Sequence, residues 1–545
     1  MDRPFAVTVA PHTSLANHTG TWRTERPVYV DLLPPCAAGC PAGEDVRGWL
    51  YRAEDGSYER AWRHLVDVNP FPAVCGRVCY HPCETACLRG SALDDPVGIN
   101  SLERFLGDEA LRQGWSLPEV APDTGRSVLV VGAGPAGLSA AYHLRRRGHR
   151  VEIRDAGDRP GGTMRTGIPT FRLPRDVLDI EIARLLATGI EYRPGENVTD
   201  LDKAMEDGGF DAVFVAVGAR LPHRAYVPAG QSAHVLQALD LLAATAKGER
   251  PSLGRRVAVY GGGNTALDAA RTARRLGADE ALIVYRRTRE AMPADPVEFG
   301  EAMAEGVQVR WLSTVADVGE GTLRVERMVL DDQGRPQPTG EFEDLAEDTL
   351  VLALGQDVDH TLLASDEDIA LHDGVVSTDR DLMTGHDGVF AGGDAVGTER
   401  SVSVAIGHGR RAAHAIDAWL AGRPAPVEDR TPGITADRLN TWYYSDAPAS
   451  VRPTLQIARR TRDFGEVVGG LETDTALYEA RRCLSCGSCL GCDNCFGVCP
   501  DNAVHKLPDL VGPGAYVIDL DHCKGCGMCA EECPCGAIEM RPEPD

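Results

Sequence analysis

The chain has 545 residues, a quarter of them charged, with a formal net charge of −25. That length exceeds what one hydrophobic core serves, so several domains are expected, and the acidic balance excludes nucleic acid as a main partner because a phosphate backbone calls for a basic surface. No apolar run approaches the roughly 18 residues of a membrane span, and MDRPFAVTVAPHTSLANHTG lacks the basic-then-apolar order of a signal peptide, so a cytoplasmic enzyme without membrane contact is expected.

The 17 cysteines are segregated: six fall between Cys36 and Cys87, eleven between Cys483 and Cys535, and none in the interval. Thiols used as small core hydrophobes would be scattered, and a disulfide framework is not expected in a long chain with no secretion signal. Metal-binding modules at both ends of a cysteine-free body are the reading that remains. In the first module, residues 1–122, CAAGCP carries Cys36 and Cys40 and precedes a polar and aromatic helical stretch. NPFPAVCGRVCYHPCETACLRG then sets Cys75, Cys79, Cys83 and Cys87 at intervals of four. Such intervals put the thiols near one face if the segment is helical throughout, and leave zinc or iron–sulfur open.

Residues 123–250 open with SVLVVGAGPAGLSAAYHLRRRGHRVEIRD, which reads as strand, glycine-rich turn, helix and strand. Gly132, Gly134 and Gly137 form G-x-G-x-x-G, with Pro135 and Ala136 at the helix start. The glycines let the backbone approach a pyrophosphate at a helix N-terminus, and Asp155 ends the second strand, placed for a ribose hydroxyl. GGTMRTGIP follows, where Gly162, Thr163, Met164, Ile168 and Pro169 would border a flat ring system. A second fingerprint, RRVAVYGGGNTALDAARTARRLGADEALIVYRR, lies in residues 251–352, with Gly261, Gly263, Asn264, Thr265 and Ala266 in its turn. Its second strand ends in Arg286 and Arg287 rather than an acid, which favours the 2'-phosphate of NADPH. Residues 353–422 contain GHDGVFAGGDAVG, presenting Gly393 and Asp394, and a helix beginning near Val404 whose positive end would face an electron-rich ring. Residues 423–482 read as a connector.

In residues 483–545, Cys489, Cys492, Cys495 and Cys499 followed by proline give C-x2-C-x2-C-x3-C-P, and Cys523, Cys526, Cys529 and Cys533 repeat it. This is the two-cluster ferredoxin spacing, in which each fourth cysteine serves the other cluster. Cys489, Cys492, Cys495 and Cys533 are therefore assigned to one [4Fe–4S] cluster, and Cys523, Cys526, Cys529 and Cys499 to the other. Cys483, Cys486 and Cys535 are left over. Ten acidic residues against three basic ones from Cys483 onward suit a basic redox partner.

The order of the two fingerprints and the GGD segment resembles the two-dinucleotide-binding-domain flavoproteins, in which a nicotinamide domain interrupts the FAD domain. CGRVC, GINSLERF at 98–105 and YRRTREAMPA at 285–294 resemble the small subunit of NADPH-dependent glutamate synthase and its relatives. The resemblance implies a multidomain α/β fold: a helical N-terminal iron–sulfur domain, two Rossmann-like domains, and a bacterial ferredoxin-like domain at the C-terminus. It implies FAD, NADPH, two C-terminal [4Fe–4S] clusters and one or two N-terminal ones. Cys40, Cys79, Cys83 and Glu103 are the implied ligands of one, an ordinary helix-surface carboxylate being the alternative for Glu103. An extra C-x2-C usual before the position of Cys36 is replaced here by RPVYVDLLPP, so Cys36, Cys75 and Cys87 are one thiol short of a second cluster. No protein nucleophile is needed, and the cysteine-free interior excludes disulfide-reductase chemistry. The expected activity is electron exchange between NADPH and a low-potential partner such as ferredoxin or a 2-oxoacid:ferredoxin oxidoreductase. The alternatives are a glutamate synthase small subunit feeding its large subunit, and a redox scaffold without nicotinamide chemistry. An oligomer is compatible with all three.

Overall fold

The computed structural model describes residues 16–544 apart from 224–226, 229–232, 364–365, 367, 427–430, 508–509 and 511–513. Among the described residues a short 3-10 helix, Thr19–Trp22, is followed by β1 (Glu25–Tyr29) and seven α-helices: α1 (Pro35–Ala38), α2 (Val46–Ala53), α3 (Tyr58–Val66), α4 (Pro72–Val78), α5 (Pro82–Thr85), α6 (Leu88–Ala92) and α7 (Ile99–Gln113). Apolar residues one turn apart build the helical core: Val46, Trp49, Leu50 and Ala53 of α2 meet Ala61, Trp62, Leu65 and Val66 of α3. Proline opens α1, α4 and α5, where its fixed φ suits the first turn. The four-residue cysteine intervals therefore do not share one helix. Cys79 is extended at the end of α4, His81 is left-handed, and Pro82 starts a new helix. Cys75, Cys79 and Cys83 thus stay near one another while Cys87 is carried to a different group.

The body continues with β2 (Ser127–Val131), α8 (Pro135–Arg146), β3 (Arg150–Asp155), β4 (Glu191–Pro194), β5 (Ala212–Val215), β6 (Val235–Gln237), β7 (Arg256–Tyr260), α9 (Asn264–Arg275), β8 (Glu280–Val284), β9 (Val307–Arg310), β10 (Thr349–Leu352), β11 (Val389–Ala391) and α10 (Val402–Leu420). α11 (Thr473–Ala480) and β12 (Ile538–Pro542) complete the elements used below. Two five-stranded parallel sheets result, in the orders β11-β5-β2-β3-β4 and β9-β8-β7-β10-β6. β2 is buried at every position, as an apolar run covered on both faces requires. The first sheet takes β11 from beyond the whole of the second, so the second unit is inserted in the first. An antiparallel sheet of residues 313–319, 322–330 and 336–346 lays Val315, Val318, Leu323 and Val325 on the second parallel sheet.

The two units are pinned by buried charge. Arg172 pairs with Asp268 of α9 at 2.7 Å and also with Glu298, and the Phe171 ring lies beneath the guanidinium groups of Arg271 and Arg275, at 4.9 and 3.7 Å. The chain ends meet as well: β1 pairs antiparallel with β12 from Glu25↔Pro542 to Tyr29↔Ile538.

After α11, Arg482 is 1 % exposed and donates to the carbonyls of Ala447, Pro96 and Asp95 and, at 2.6 Å, to Glu479. Glu479 also accepts from the backbone N–H of Gly98 and of Ser450. Breaking a buried pair by removing one partner leaves an uncompensated charge. Arg482→Met is expected to lose about 3–5 kcal/mol, read as a lower urea midpoint of the anaerobically purified chain.

Candidate functional site

The two glycine-rich turns are built alike. Gly132 (φ +107°) and Gly261 (φ +152°) turn the chain out of β2 and β7 in conformations that side chains rarely adopt. A Cβ on Gly134 or Gly263 would meet nothing within 4 Å, whereas one on Gly137 would strike the Gly132 carbonyl oxygen. The middle glycine thus leaves open space at the N-terminus of α8 or α9, where a pyrophosphate fits, and Gly137 permits the close approach of helix to turn. Pro135 and Ala136 begin α8, and Ala266 is buried in α9 beside the half-buried Thr265.

Asp155 ends β3, and its carboxylate accepts the Ala133 N–H at 2.6 Å and the Gly157 N–H at 2.7 Å. It therefore fixes the glycine-rich turn, with oxygen lone pairs left over for a ribose. Gly162 packs against Gly134; Met164 is fully buried, Ile168 half-buried, and Thr163 exposed at the start of a one-turn helix. Pro169 is buried next to them. Gly393 sits over Ala136, and its N–H donates to His408 Nδ1 at 3.1 Å. Asp394 receives no hydrogen bond among the described residues, and burial raises its carboxyl above the ordinary range. A ligand hydroxyl is the donor this group lacks, which is the polar chemistry of a flavin side chain. Val404, half-buried, gives its N–H to the Ser401 cap at the start of α10.

In the second unit Arg286 and Arg287 lie just past β8. Neither has an ion pair or a side-chain hydrogen bond among the described residues; Arg286 is exposed, and Arg287 Nε is buried without a partner. Asn264 is engaged by protein on both sides: its amide donates to the Tyr80 hydroxyl at 2.8 Å and accepts the Asp295 N–H at 2.8 Å.

The cysteines fall into four groups. In the ferredoxin module Cys499, Cys523, Cys526 and Cys529 line one pocket. Cys489, Cys492, Cys495 and Cys533 are mutual neighbours: the Cys489 thiol is raised first by burial and then by the nearby Cys495, Cys533 and Cys492. In the helical module, burial raises Cys83, followed by the proximity of Cys79, Cys40 and Glu103. Glu103 is no surface carboxylate. It is 6 % exposed, accepts from Asn69 Nδ2 at 2.9 Å, and is held well above its ordinary range by burial and then by Glu44 and Cys79. Glu44, which accepts from the same Asn69 amide at 2.8 Å and sits beside Cys40, had no sequence signal beyond its nearness to CAAGCP. The grouping of Cys75 with Cys36 and Cys87 is not what the structure holds. Cys75 is buried in α4 beside Glu103, Cys79 and Asn69, because the chain breaks at Cys79 and Pro82 before reaching Cys87. Cys36 and Cys87 stand instead with Cys483 and Cys486. Cys535 lies 3.7 Å from Cys533.

The helical module reaches the dinucleotide turns directly. Cys79 Sγ is 3.6 Å from Ser403 Oγ at the start of α10, and Tyr80 holds Asn264.

Gly137→Ala is expected to yield protein lacking stoichiometric FAD, read from flavin absorbance per chain. Arg286→Ser with Arg287→Ser is expected to raise KM for NADPH about tenfold to a hundredfold while leaving NADH kinetics little changed, since loss of one charge-assisted bond to the 2'-phosphate is worth about 1.5–3 kcal/mol.

Comparison with known proteins agrees with this layout. Residues 126–409 match the Pyridine nucleotide-disulphide oxidoreductase family, residues 25–115 the Dihydropyrimidine dehydrogenase domain II, 4Fe-4S cluster family, and residues 488–537 the 4Fe-4S dicluster domain. The chain is 36% identical to the NADP(+)-dependent formate dehydrogenase subunit beta of Moorella thermoacetica, over 84% of this chain and 71% of that one. It is 34% identical to the NADPH-Fe(3+) oxidoreductase subunit beta of Geobacter sulfurreducens, over 83% and 75%. It is 33% identical to the NADPH glutamate synthase small chain of Azospirillum brasilense, over 72% and 88%. Among the described residues no helix is long and apolar enough to cross a membrane. The chain belongs to the NADPH-dependent FAD and iron–sulfur oxidoreductases of the glutamate synthase small chain type, with 4Fe-4S domains at both ends.

Proposed function

We propose that this chain is the nicotinamide-side electron-transfer subunit of a larger redox system, exchanging electrons between NADPH and a low-potential partner such as ferredoxin or a 2-oxoacid:ferredoxin oxidoreductase. The observation that carries the reading is the contact of residues 79 and 80 with both dinucleotide motifs: Cys79 against Ser403 and Tyr80 against Asn264. One ligand-bearing loop touches the helix that faces the flavin region and the turn that faces the nicotinamide region. Relatives whose names mark them as a subunit beta or a small chain support a partner on another chain.

Bound FAD would supply the conversion between the electron pair of a nicotinamide and the single electrons that iron–sulfur clusters take. The residues prepare that exchange without acid–base chemistry. Arg286 and Arg287 take the 2'-phosphate, Gly134 and Gly263 admit the two pyrophosphates, and Asp394 accepts from a flavin hydroxyl. The positive end of α10 would favour electron density on a bound flavin ring. Arg172, locked between Asp268 and Glu298, holds the two units in one relative orientation, which the stacking of two rings requires. Cys40, Cys79, Cys83 and Glu103 are the ligand set for the cluster beside α10. The acidic ferredoxin module, ten acids against three bases, favours a basic face on the partner.

Anaerobic NADPH is expected to bleach the flavin of the full chain and then to develop the EPR signals of reduced clusters. Bleaching by dithionite but not by NADPH would make the chain a relay without nicotinamide chemistry.

A further inference from the structure

Cys483 and Cys486 precede the ferredoxin motif and have no place in it, while Cys36 and Cys87 lack partners in the helical module. The fold joins the two pairs. We propose that Cys36, Cys87, Cys483 and Cys486 hold a [4Fe–4S] cluster at the seam between the helical module and the ferredoxin, the C-terminal pair replacing the C-x2-C that RPVYVDLLPP lacks.

The four residues line one pocket together with Leu50, Val97 and Ile99. Cys499, Cys523, Cys526 and Cys529, a set recognised by spacing alone, line another. A pocket lined by four thiols thus recurs where no motif predicts it.

The surroundings are built to hold this arrangement. Arg47 donates to the Leu32 carbonyl at 2.8 Å and the Cys486 carbonyl at 3.0 Å while pairing with Asp31, clamping the strand before Cys36 to the loop that carries Cys486. Arg89, next but one to Cys87, donates to the Arg482 carbonyl immediately before Cys483. Ser485, at φ +50°, gives its N–H to Cys483 Sγ at 3.4 Å, which bends the C-x2-C turn so that both thiols enter the cavity. Leu484 packs with Leu32 beneath it.

Zinc is the other metal that four cysteines hold. A Zn–S bond of about 2.3 Å places tetrahedral sulfurs about 3.8 Å apart. Among the described residues no three cysteine sulfurs lie within 4.8 Å of one another, at this site or in the ferredoxin. Tetrahedral zinc would need these sulfurs closer together than they stand, and four soft thiolate ligands suit a cluster.

The assignment concerns ligands and does not depend on NADPH, partner or direction of flow. Anaerobically purified full chain is expected to contain about sixteen iron and sixteen acid-labile sulfide, four of each per cluster. Cys483→Ser with Cys486→Ser, and separately Cys36→Ser with Cys87→Ser, are each expected to contain about four fewer of each and to lose the same EPR component from the dithionite-reduced protein. FAD content and the ferredoxin signals serve as the folding control. Should a double variant fail to accumulate, Cys486→Ser alone is expected to shift that one component. A full iron count in either double variant, loss of different components by the two pairs, an unchanged Cys486→Ser spectrum, or stoichiometric zinc would each overturn the proposal.

Discussion

The pairing of β1 with β12 is the constraint on which the metal-binding architecture depends. Five residues near the start of the chain pair with Ile538–Pro542 near the end of the ferredoxin module, in antiparallel register. The flanking contacts reinforce it. Arg23 makes a two-pronged contact with Glu543 and donates to the carbonyls of Leu520 and Cys523, and the Thr19 hydroxyl donates to His522. Two parallel N–H···O bonds to a carboxylate fix direction as well as distance. The Tyr29 hydroxyl ends this strand 3.2 Å from Cys495 Sγ, so a residue far away in sequence enters the surroundings of a ferredoxin ligand. Hydrogen bonding at the sulfurs is among the properties that set a cluster's potential. From Tyr29 the chain passes Leu32, which donates its N–H to the Gly487 carbonyl, and arrives at Cys36. The strand pairing thereby delivers Cys36 to the turn holding Cys483 and Cys486.

At the other end of the helical module a second set of contacts fixes the dinucleotide side. Pro41 lies against Gly407 of α10, Tyr142 of α8 donates to the Val66 carbonyl, and Glu181 accepts the N–H groups of Ala73 and Val74 at the start of α4. Buried donors and acceptors are satisfied across module boundaries, so the helical module cannot slide without leaving polar groups unpaired. The connector extends the clamp: Arg104 donates to the Val468 carbonyl, and Val467 gives its N–H to Phe171. Phe171 is the ring under Arg271 and Arg275, so one strap touches the helical module and the residue at which the two dinucleotide units meet.

What was legible in the sequence was whatever is encoded locally. The glycine fingerprints, Arg286 and Arg287, and the repeated ferredoxin spacing each complete their chemistry within a few tens of residues. Gly134 faces open space and Gly137 is pressed on the Gly132 carbonyl, a local geometry set within one turn. Tertiary closure was not legible. Cys36 and Cys483 meet only because β1 pairs with β12 and α11 docks on the helical module, and neither event leaves a spacing pattern. The regular interval from Cys75 to Cys87 suggested one helical face, but Pro82 and the left-handed His81 break it. Glu103 sits in a helix whose first half is buried all round, so periodicity gave no warning that its carboxyl is enclosed.

The grouping of thiols carries one further consequence. Cys36 and Cys40 belong to adjacent sites, as do Cys83 and Cys87, and as do Cys486 and Cys489. Within the ferredoxin, Cys499 and Cys533 cross between its two sites. A chain of n residues spans at most about 3.3–3.6 Å per residue, so ligands three or four positions apart have Cα atoms no more than about 14 Å apart. Adjacency along the series, from the group beside α10, through the seam, to the ferredoxin, is thus imposed by covalent geometry and does not rely on domain docking alone. Removing Cys483 and Cys486 would leave the helical and ferredoxin sites each intact but with no thiol set between them. The seam pair is therefore the point at which two separate metal modules become one continuous path.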